Sequence, residues 1–158
     1  MIPDEVKEYI GKAEPPHVRV VEKGSIRRYA DAVGNDNPLY GDEEYASKSR
    51  YGYIIAPPGF FGWPTKPAAS STGLPQLVAD LQSALSSAGY PRILDGGISY
   101  DFYLPVHTGD ILIVSPKVKD VTVKEGKSGT MMICNLETTY LNQNGDIVAK
   151  AYQTFIAR

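Results

Sequence analysis

The second half of this chain repeats one pattern, in which strand-like segments are separated by turn residues, and this pattern restricts the fold most. Four segments rich in β-branched and aromatic residues are ILDGGISYDFYLPV, DILIVSPKVKDVTVKEG, TMMICNLETTYLNQNG and DIVAKAYQTFIAR. Turn residues lie between them at Thr108 to Asp110, at Gly126 to Gly129 and at Asn142 to Gly145, where Asn144-Gly145 is a strong hairpin signal. The segments are therefore expected to form long, bent antiparallel strands.

The first half is expected to be mainly helical. Residues 1–15 resemble a short amphipathic arm with Val6, Tyr9 and Ile10 at helical spacing, and HVRVVEKG indicates a first strand. Two short helices should follow. Ser25 caps the first, IRRYADAVG, which ends at Gly34 and has an apolar stripe of Ile26, Tyr29, Ala30 and Val33. Asp42 caps the second, EEYASKS. LVADLQSALSSAG has a helical period with Leu77, Leu81 and Leu85 on one side.

Helices followed by an antiparallel meander predict an α+β fold. At 158 residues the chain is expected to be one domain, 1–158. An apolar sheet face needs a covering helix, and the segment that begins at Pro57 is the best candidate, whereas residues 64–76 should form a loop or lid.

Composition excludes several classes of function. The formal net charge is −2 and the basic residues are scattered, so no nucleic-acid surface is indicated. The start of the chain does not resemble a signal peptide, and nothing approaches the length of a membrane span. One cysteine, Cys134, and two histidines, His17 and His107, leave little material for a metal site. We expect a cytoplasmic protein without metal or cofactor.

The loop between the first two helices carries a family motif. RRYADAVGNDNPLYGDEEYA resembles the hydratase motif of MaoC-like proteins, in which an aromatic residue precedes Gly-Asp-x-Asn-Pro-Leu-His. The resemblance continues through IIAPPGFF, YDFYLPVHTGDIL and GDIVAKAYQTFIAR. The chain is most similar to the N-terminal MaoC dehydratase domain, and within that group to the substrate-binding subunit of mycobacterial (3R)-hydroxyacyl-ACP dehydratases.

The resemblance implies a hot-dog fold, in which an antiparallel sheet wraps round a central helix, and two hot dogs pair side by side into a double hot dog. It also implies a CoA or acyl-carrier-protein thioester as the substrate. In the family's hydratases, the Asp and His of the motif hold a water that adds to a 2-enoyl thioester. One group takes the water proton while another protonates C2. Backbone N–H groups at the start of the central helix stabilise the developing enolate.

The sequence departs from the motif at both proton-transferring positions. Asn35 occupies the Asp position and Tyr40 the His position. An amide does not accept a proton at useful pH, and a phenol with a pKa near 10 is a poor base. Asp36 is a possible rescue, although neighbouring residues near a helix end point about 100° apart, so it is expected to face solvent or stabilise the turn before Pro38.

Further candidates follow the first apolar run. Gly59 matches the family glycine that lets a thioester approach the central helix, Pro58 precedes it, and Phe60, Phe61 and Trp63 either line an acyl tunnel or fill the core. Tyr29 either touches substrate or packs in the core. His107 is expected at the surface and His17 in a structural role. The substrate-binding set is thus Gly59, Pro58, Tyr40, Asn35, Phe60 and Trp63.

We interpret the chain as the dyad-lacking half of a hydratase/dehydratase pair that binds a 2-enoyl or 3-hydroxyacyl thioester, while a partner hot dog supplies Asp and His. One alternative is a homo-oligomeric hydratase with a site rebuilt from Asp36 or Tyr40. Another is a non-enzymatic acyl-CoA binding module, and a thioesterase ranks lowest because PPGFFGW offers no carboxylate. The acyl chain, the carrier and the choice between a homo- and a hetero-oligomer stay open.

Overall fold

A computed structural model describes residues 1–61, 75–126 and 129–158 of the chain. The described helices are α1 (Asp4–Lys7), α2 (Lys23–Ala32), α3 (Glu43–Lys48) and α4 (Gln76–Ser87), with a 3₁₀ turn at Pro38–Tyr40. The strands are β1 (His17–Val20), β2 (Ile93–Phe102), β3 (Ile111–Gly126), β4 (Gly129–Leu141) and β5 (Ile147–Ala157). The predicted α+β class and the four long strands after residue 92 are therefore confirmed.

The strands form one antiparallel sheet in the order β1-β3-β4-β5-β2. Its register shifts between Asp95 and Gly97, between Val118 and Asp120, and between Tyr140 and Leu141. Each shift places an extra residue in one strand, which bends that strand and increases its twist. The sheet can therefore curve round a helix, as the hot-dog prediction requires.

Helix α4 packs on one half of this curved sheet. Leu81 and Leu85 are fully buried against it, and Leu77 and Val78 are nearly so, as the helical period predicts. The sheet contributes Met132 and Cys134, while residues from both ends of the chain complete this cluster. Burial raises the pKa of the Cys134 thiol to about 12, because the thiolate would have no water around it. The centre of this half is a fully buried apolar core.

The prediction of a sheet-covering helix that begins at Pro57 is wrong for the described residues. Residues 57–60 form a turn in which the Phe60 N–H donates to the Pro57 carbonyl at 3.1 Å. Gly59 has φ of +85°, which a right-handed helix does not accommodate. Helix α4, which the sequence also predicted, covers the sheet instead.

A second core lies under α2, the 3₁₀ turn and α3, on the other half of the sheet. Its fully buried side chains include Ile26, Ala46, Phe60 and Leu112. Four aromatic rings stack beside it, with centroids of Phe61 and Tyr140 4.2 Å apart and those of Tyr100 and Phe102 5.5 Å apart. This ring stack runs from the core to the exposed edge strand β2.

The caps of the two early helices follow the predictions in part. Helix α2 begins at Lys23, and Ser25 is buried inside it rather than capping it. Val33 is exposed because the helix ends at Ala32, and Gly34, with φ of +67°, terminates it as predicted. The predicted cap of α3 is confirmed, since Asp42 Oδ1 accepts a hydrogen bond from the Tyr45 N–H at 2.9 Å.

Candidate functional site

The motif loop is shaped by its own asparagines. The Asn35 side-chain oxygen accepts a hydrogen bond from the Asn37 N–H at 3.2 Å, and the Asn37 side-chain oxygen accepts one from the Leu39 N–H at 3.0 Å. Asn37 thus caps the 3₁₀ turn that Pro38 opens. The turn-stabilising role suggested for Asp36 therefore falls to Asn37, while Asp36 is exposed.

An open cavity of about 640 Å³ lies on one side of this loop; we call it the apolar cavity. The 3₁₀ turn, the turn at 57–60 and the segment that follows β2 form its walls, and most of its described lining is apolar or aromatic. That lining is Asn37, Leu39, Tyr40, Arg50, Tyr51, Ile55, Ala56, Pro57, Pro58, Phe60, Phe61, Phe102, Tyr103, Leu104, Pro105 and Val106.

A second cavity, of about 590 Å³, also borders the loop; we call it the polar cavity. Its described lining combines two cations with four carboxylates: Lys23, Arg27, Ala30, Asp31, Asn35, Asp36, Asn37, Pro38, Tyr40, Gly41, Asp42 and Glu43. Arg27 Nε donates to Asp31 at 3.1 Å, and Lys23 Nζ to Glu43 at 2.5 Å. Most of its charge is thereby neutralised locally.

The structure separates the residues that the sequence grouped as one site. Tyr40, Pro58 and Phe60 line the apolar cavity, and Tyr40 also borders the polar one. Asn35 and Asp36 line the polar cavity, and neither is among the described residues of the apolar cavity. Trp63 and residues 64–74 of the proposed loop or lid lie outside the described residues.

Within the described residues, which stop at 61 on this side, Gly59 is not part of a helix. It sits in the turn at 57–60, and a Cβ placed on it would come within 2.9 Å of the Tyr29 hydroxyl. The Tyr29 ring meets the Phe60 ring edge to face, with centroids 5.6 Å apart. Gly59 therefore makes room for Tyr29. The first N–H of α4, at Gln76, is already taken by Glu14 Oε1 at 2.9 Å.

The apolar cavity has no acid–base pair among its described residues. Neither a carboxylate nor an imidazole occurs in that part of its lining. Tyr40 is 8% exposed, and burial, with a smaller contribution from Tyr51, raises the pKa of the Tyr40 phenol above its ordinary value. A raised pKa makes the phenolate still less accessible. Tyr40 is thus suited to hydrogen bonding and not to taking a proton.

Both histidines are engaged away from the two cavities. His17 lies on β1 and its Nε2 accepts a hydrogen bond from Arg19 Nε at 3.2 Å. His107 was expected at the surface; its side chain is 25% exposed, and its Nδ1 lies 3.2 Å from Asp110 Oδ2. The Tyr53 ring meets it edge to face with centroids 4.1 Å apart. The ring contact connects the 105–110 turn to Tyr53.

Sequence reasoning missed part of the lining of the apolar cavity. Arg50 and Tyr51 follow α3, and the segment from Phe102 to Val106 follows β2. The family-like segment YDFYLPV was the only signal for the second group. Nothing in the local sequence singled out Arg50, because its importance depends on which residues surround it in space.

Two properties of the described residues bear on the class of site. Their helices include none long and apolar enough to cross a membrane. Their His, Cys, Asp and Glu side chains form no group of three or more that could hold a metal ion.

Comparison with known sequences gives consistent matches. Residues 9–151 match the family model described as FAS1-like, dehydratase domain region. A UPF0336 protein of Streptomyces avermitilis is 30% identical over 151 residues, which cover 95% of this chain and 93% of that protein. A probable enoyl-CoA hydratase alpha subunit of Thermomonospora curvata is 26% identical over 129 residues, covering 78% of this chain but only 40% of that protein.

Solved structures share the fold at low sequence identity. The ChsH1-ChsH2 complex from Mycobacterium tuberculosis contains a chain that matches with a TM-score of 0.82 at 18% identity, covering 97% of this chain and 93% of that one. The HadBC (3R-hydroxyacyl-ACP dehydratase) complex of the same organism contains one with a TM-score of 0.65 at 22% identity, covering 94% and 96%. Both likenesses confirm the hot-dog fold.

Proposed function

Because the chain belongs to the FAS1-like dehydratase domain family, we propose that it is the thioester-binding, dyad-lacking subunit of an (R)-specific enoyl-CoA hydratase or 3-hydroxyacyl dehydratase. A partner hot dog supplies the catalytic Asp and His. The observation that carries the proposal is the apolar cavity, which adjoins the hydratase motif yet has no carboxylate or imidazole among its described residues.

The chemistry explains why such a cavity needs a partner. Water adds across the C2=C3 bond when a base takes its proton, its oxygen bonds to C3, and an acid delivers a proton to C2. Asn35 and Tyr40 hold the two motif positions, and neither is a base near neutral pH. What this chain supplies is an apolar wall that excludes water from the acyl group and a Tyr40 hydroxyl able to hydrogen-bond to the substrate.

The free edge of the sheet offers a place for the partner. Among the described strands, β2 pairs only with β5, so its other edge keeps backbone groups available to another sheet. Ile98 and Phe102 on this strand are each 52% exposed, which is unusual for large apolar side chains. Phe102 and the four residues after it also line the apolar cavity. A hot dog paired along β2 would therefore lie next to the cavity.

The names of the similar proteins support a two-chain enzyme. One relative is called an alpha subunit, and both solved structures are complexes of two different chains. These names support a division of labour between two hot dogs for a chain without the dyad.

The test is a hydration assay on crotonyl-CoA and longer enoyl-CoAs, with the purified chain alone and mixed with the hot-dog protein of the neighbouring gene. We expect no hydration by the chain alone and activity in the mixture. Asp36→Ala should leave the mixture active, because that side chain moves no proton. Tyr40→Phe should leave hydration measurable but raise KM, because the lost hydroxyl hydrogen-bonds to the substrate and moves no proton. Robust hydration by the chain alone, abolished in Asp36→Ala, would overturn the proposal and favour a rebuilt site.

A further inference from the structure

Arg50 is the one charged residue in the described lining of the apolar cavity. It follows α3 and is exposed. No described carboxylate lies within ion-pair distance of it, unlike Lys48, whose Nζ contacts Glu44 at 2.5 Å. A lone cation on the rim of an otherwise apolar cavity attracts anions, because nothing beside it neutralises its field.

The guanidinium of Arg50 is held in place by the next residue. Its Cζ lies 4.7 Å from the centroid of the Tyr51 ring, and its Nη2 donates to the Tyr51 hydroxyl at 2.5 Å. The Tyr51 N–H in turn donates to Ser49 Oγ at 3.1 Å. A guanidinium has five N–H donors in a planar fork, so most of them stay available for a ligand. Phosphate is a geometric match for that fork.

The polar cavity differs from the apolar cavity in the balance of its charges. It contains Lys23 and Arg27, but both are paired with carboxylates, and two further acidic residues, Asp36 and Asp42, line it. An anion entering there would meet more negative than positive charge. Of the two cavities beside the motif, the apolar one is therefore the one whose rim favours an anion.

We propose that Arg50 binds the phosphate of a phosphopantetheine arm whose acyl thioester enters the apolar cavity. The inference rests on the proposed function, since it assigns the charged end of the same ligand. A thioester carried by CoA or by an acyl-carrier protein has an uncharged pantetheine segment that ends in a phosphate. Arg50 at the rim of the cavity matches the phosphate, and the apolar side chains inside the cavity match the acyl thioester.

The experiment compares three ligands by calorimetric titration of the full chain: crotonyl-pantetheine, crotonyl-4′-phosphopantetheine and crotonyl-CoA. The wild type should bind both phosphorylated ligands more tightly than crotonyl-pantetheine. Arg50→Gln should weaken the two phosphorylated ligands about 10-fold and leave crotonyl-pantetheine unchanged. Arg50→Lys should recover part of the affinity, since it restores charge without the planar fork. Arg92→Gln, an exposed arginine outside both cavities, is the matched control.

The outcomes separate the two proposals. Equal binding of phosphorylated and unphosphorylated ligands, or an equal loss of both in Arg50→Gln, would overturn the role of Arg50 while leaving thioester binding intact. Absence of binding by all three ligands would overturn both. A wild-type preference for crotonyl-CoA over crotonyl-4′-phosphopantetheine identifies CoA as the carrier, whereas equal affinity means that the arm shared with acyl-carrier protein suffices.

Discussion

The two halves of the sheet are built from the same kinds of residue but end differently at the surface. Under α4, the apolar side chains close on themselves, and Leu81, Leu85, Met132 and Cys134 are fully buried. Under the motif loop, the core is just as apolar, yet it opens into a cavity of about 640 Å³ and continues as a ring stack to the exposed strand β2. The closed half contributes a fully buried core, and the open half is where we propose that a ligand and a second chain bind.

A charge on the exposed edge of β2 should prevent the open half from pairing with a partner. Ile98→Lys places a charge in the middle of the β2 edge, where we expect it to prevent pairing and to abolish hydration by the two-protein mixture. Val18→Lys is the matched control, since Val18 is 65% exposed on β1 at the opposite edge of the sheet.

Size-exclusion chromatography with light scattering measures the assembly of both variants, and circular dichroism checks that each is folded. Assembly that survives Ile98→Lys but is lost in Val18→Lys would move the interface to the other edge.

Truncation of a side chain should lower the free energy of unfolding more in the closed half than in the open half. Leu81→Ala removes a fully buried side chain from α4 and should lower the free energy of unfolding by about 2–5 kcal/mol. Leu104→Ala, at a residue that is 43% exposed on the apolar cavity, should cost less than about 1 kcal/mol. Urea denaturation of the single chain measures both, and equal losses would mean that the cavity half is as tightly packed as the α4 half.

His17, on β1, should make the stability of the chain sensitive to acid. Burial, and then the charge of Arg19, lower the pKa of His17 below its ordinary value, and its Nε2 accepts a hydrogen bond that protonation removes. Between the ordinary histidine pKa of about 6.5 and the lowered one, the unfolded chain binds more protons than the folded chain. Stability should therefore fall as the pH is lowered through this range.

His17→Gln should reduce that dependence, which is the smallest of these effects. Urea denaturation at a series of pH values measures it, with Asp4→Asn as a control on an exposed carboxylate of α1. A stability curve for His17→Gln with the same slope as the wild type between about pH 7 and 5 would contradict the assignment.

Much of the fold could be predicted because its signals are local. Gly34 ends a helix, Asp42 caps one, and Asn142 to Gly145 turns a hairpin, each through geometry set by one or two residues. The family resemblance and the hot-dog fold are likewise confirmed. The assignment of Asn35 and Tyr40 to the two motif positions needs only the sequence and the resemblance, and it stays a prediction.

The errors arose where one local signal permits two structures. Pro57-Pro58 can begin a helix or a turn, and the positive φ of Gly59 selects the turn. The expected place of Gly59 beside a helix N-terminus stays a prediction, and within the described residues its missing side chain accommodates the Tyr29 hydroxyl. Arg50 could not have been found at all, because an unpaired cation is defined by the absence of carboxylates that are distant in sequence.

The α4 core joins residues that are far apart in the sequence, and this affects how the chain folds. Val6, near one end of the sequence, belongs to the same buried cluster as Phe155 and Ala157, near the other. Contacts between such remote residues require closure of a very long loop before they contribute, which slows folding. During synthesis β5 emerges after α4, so until then α4 would lie on an incomplete sheet with apolar surface exposed. Chaperones would matter most in the interval before β5 is added, because the apolar surface of the nascent chain is then exposed.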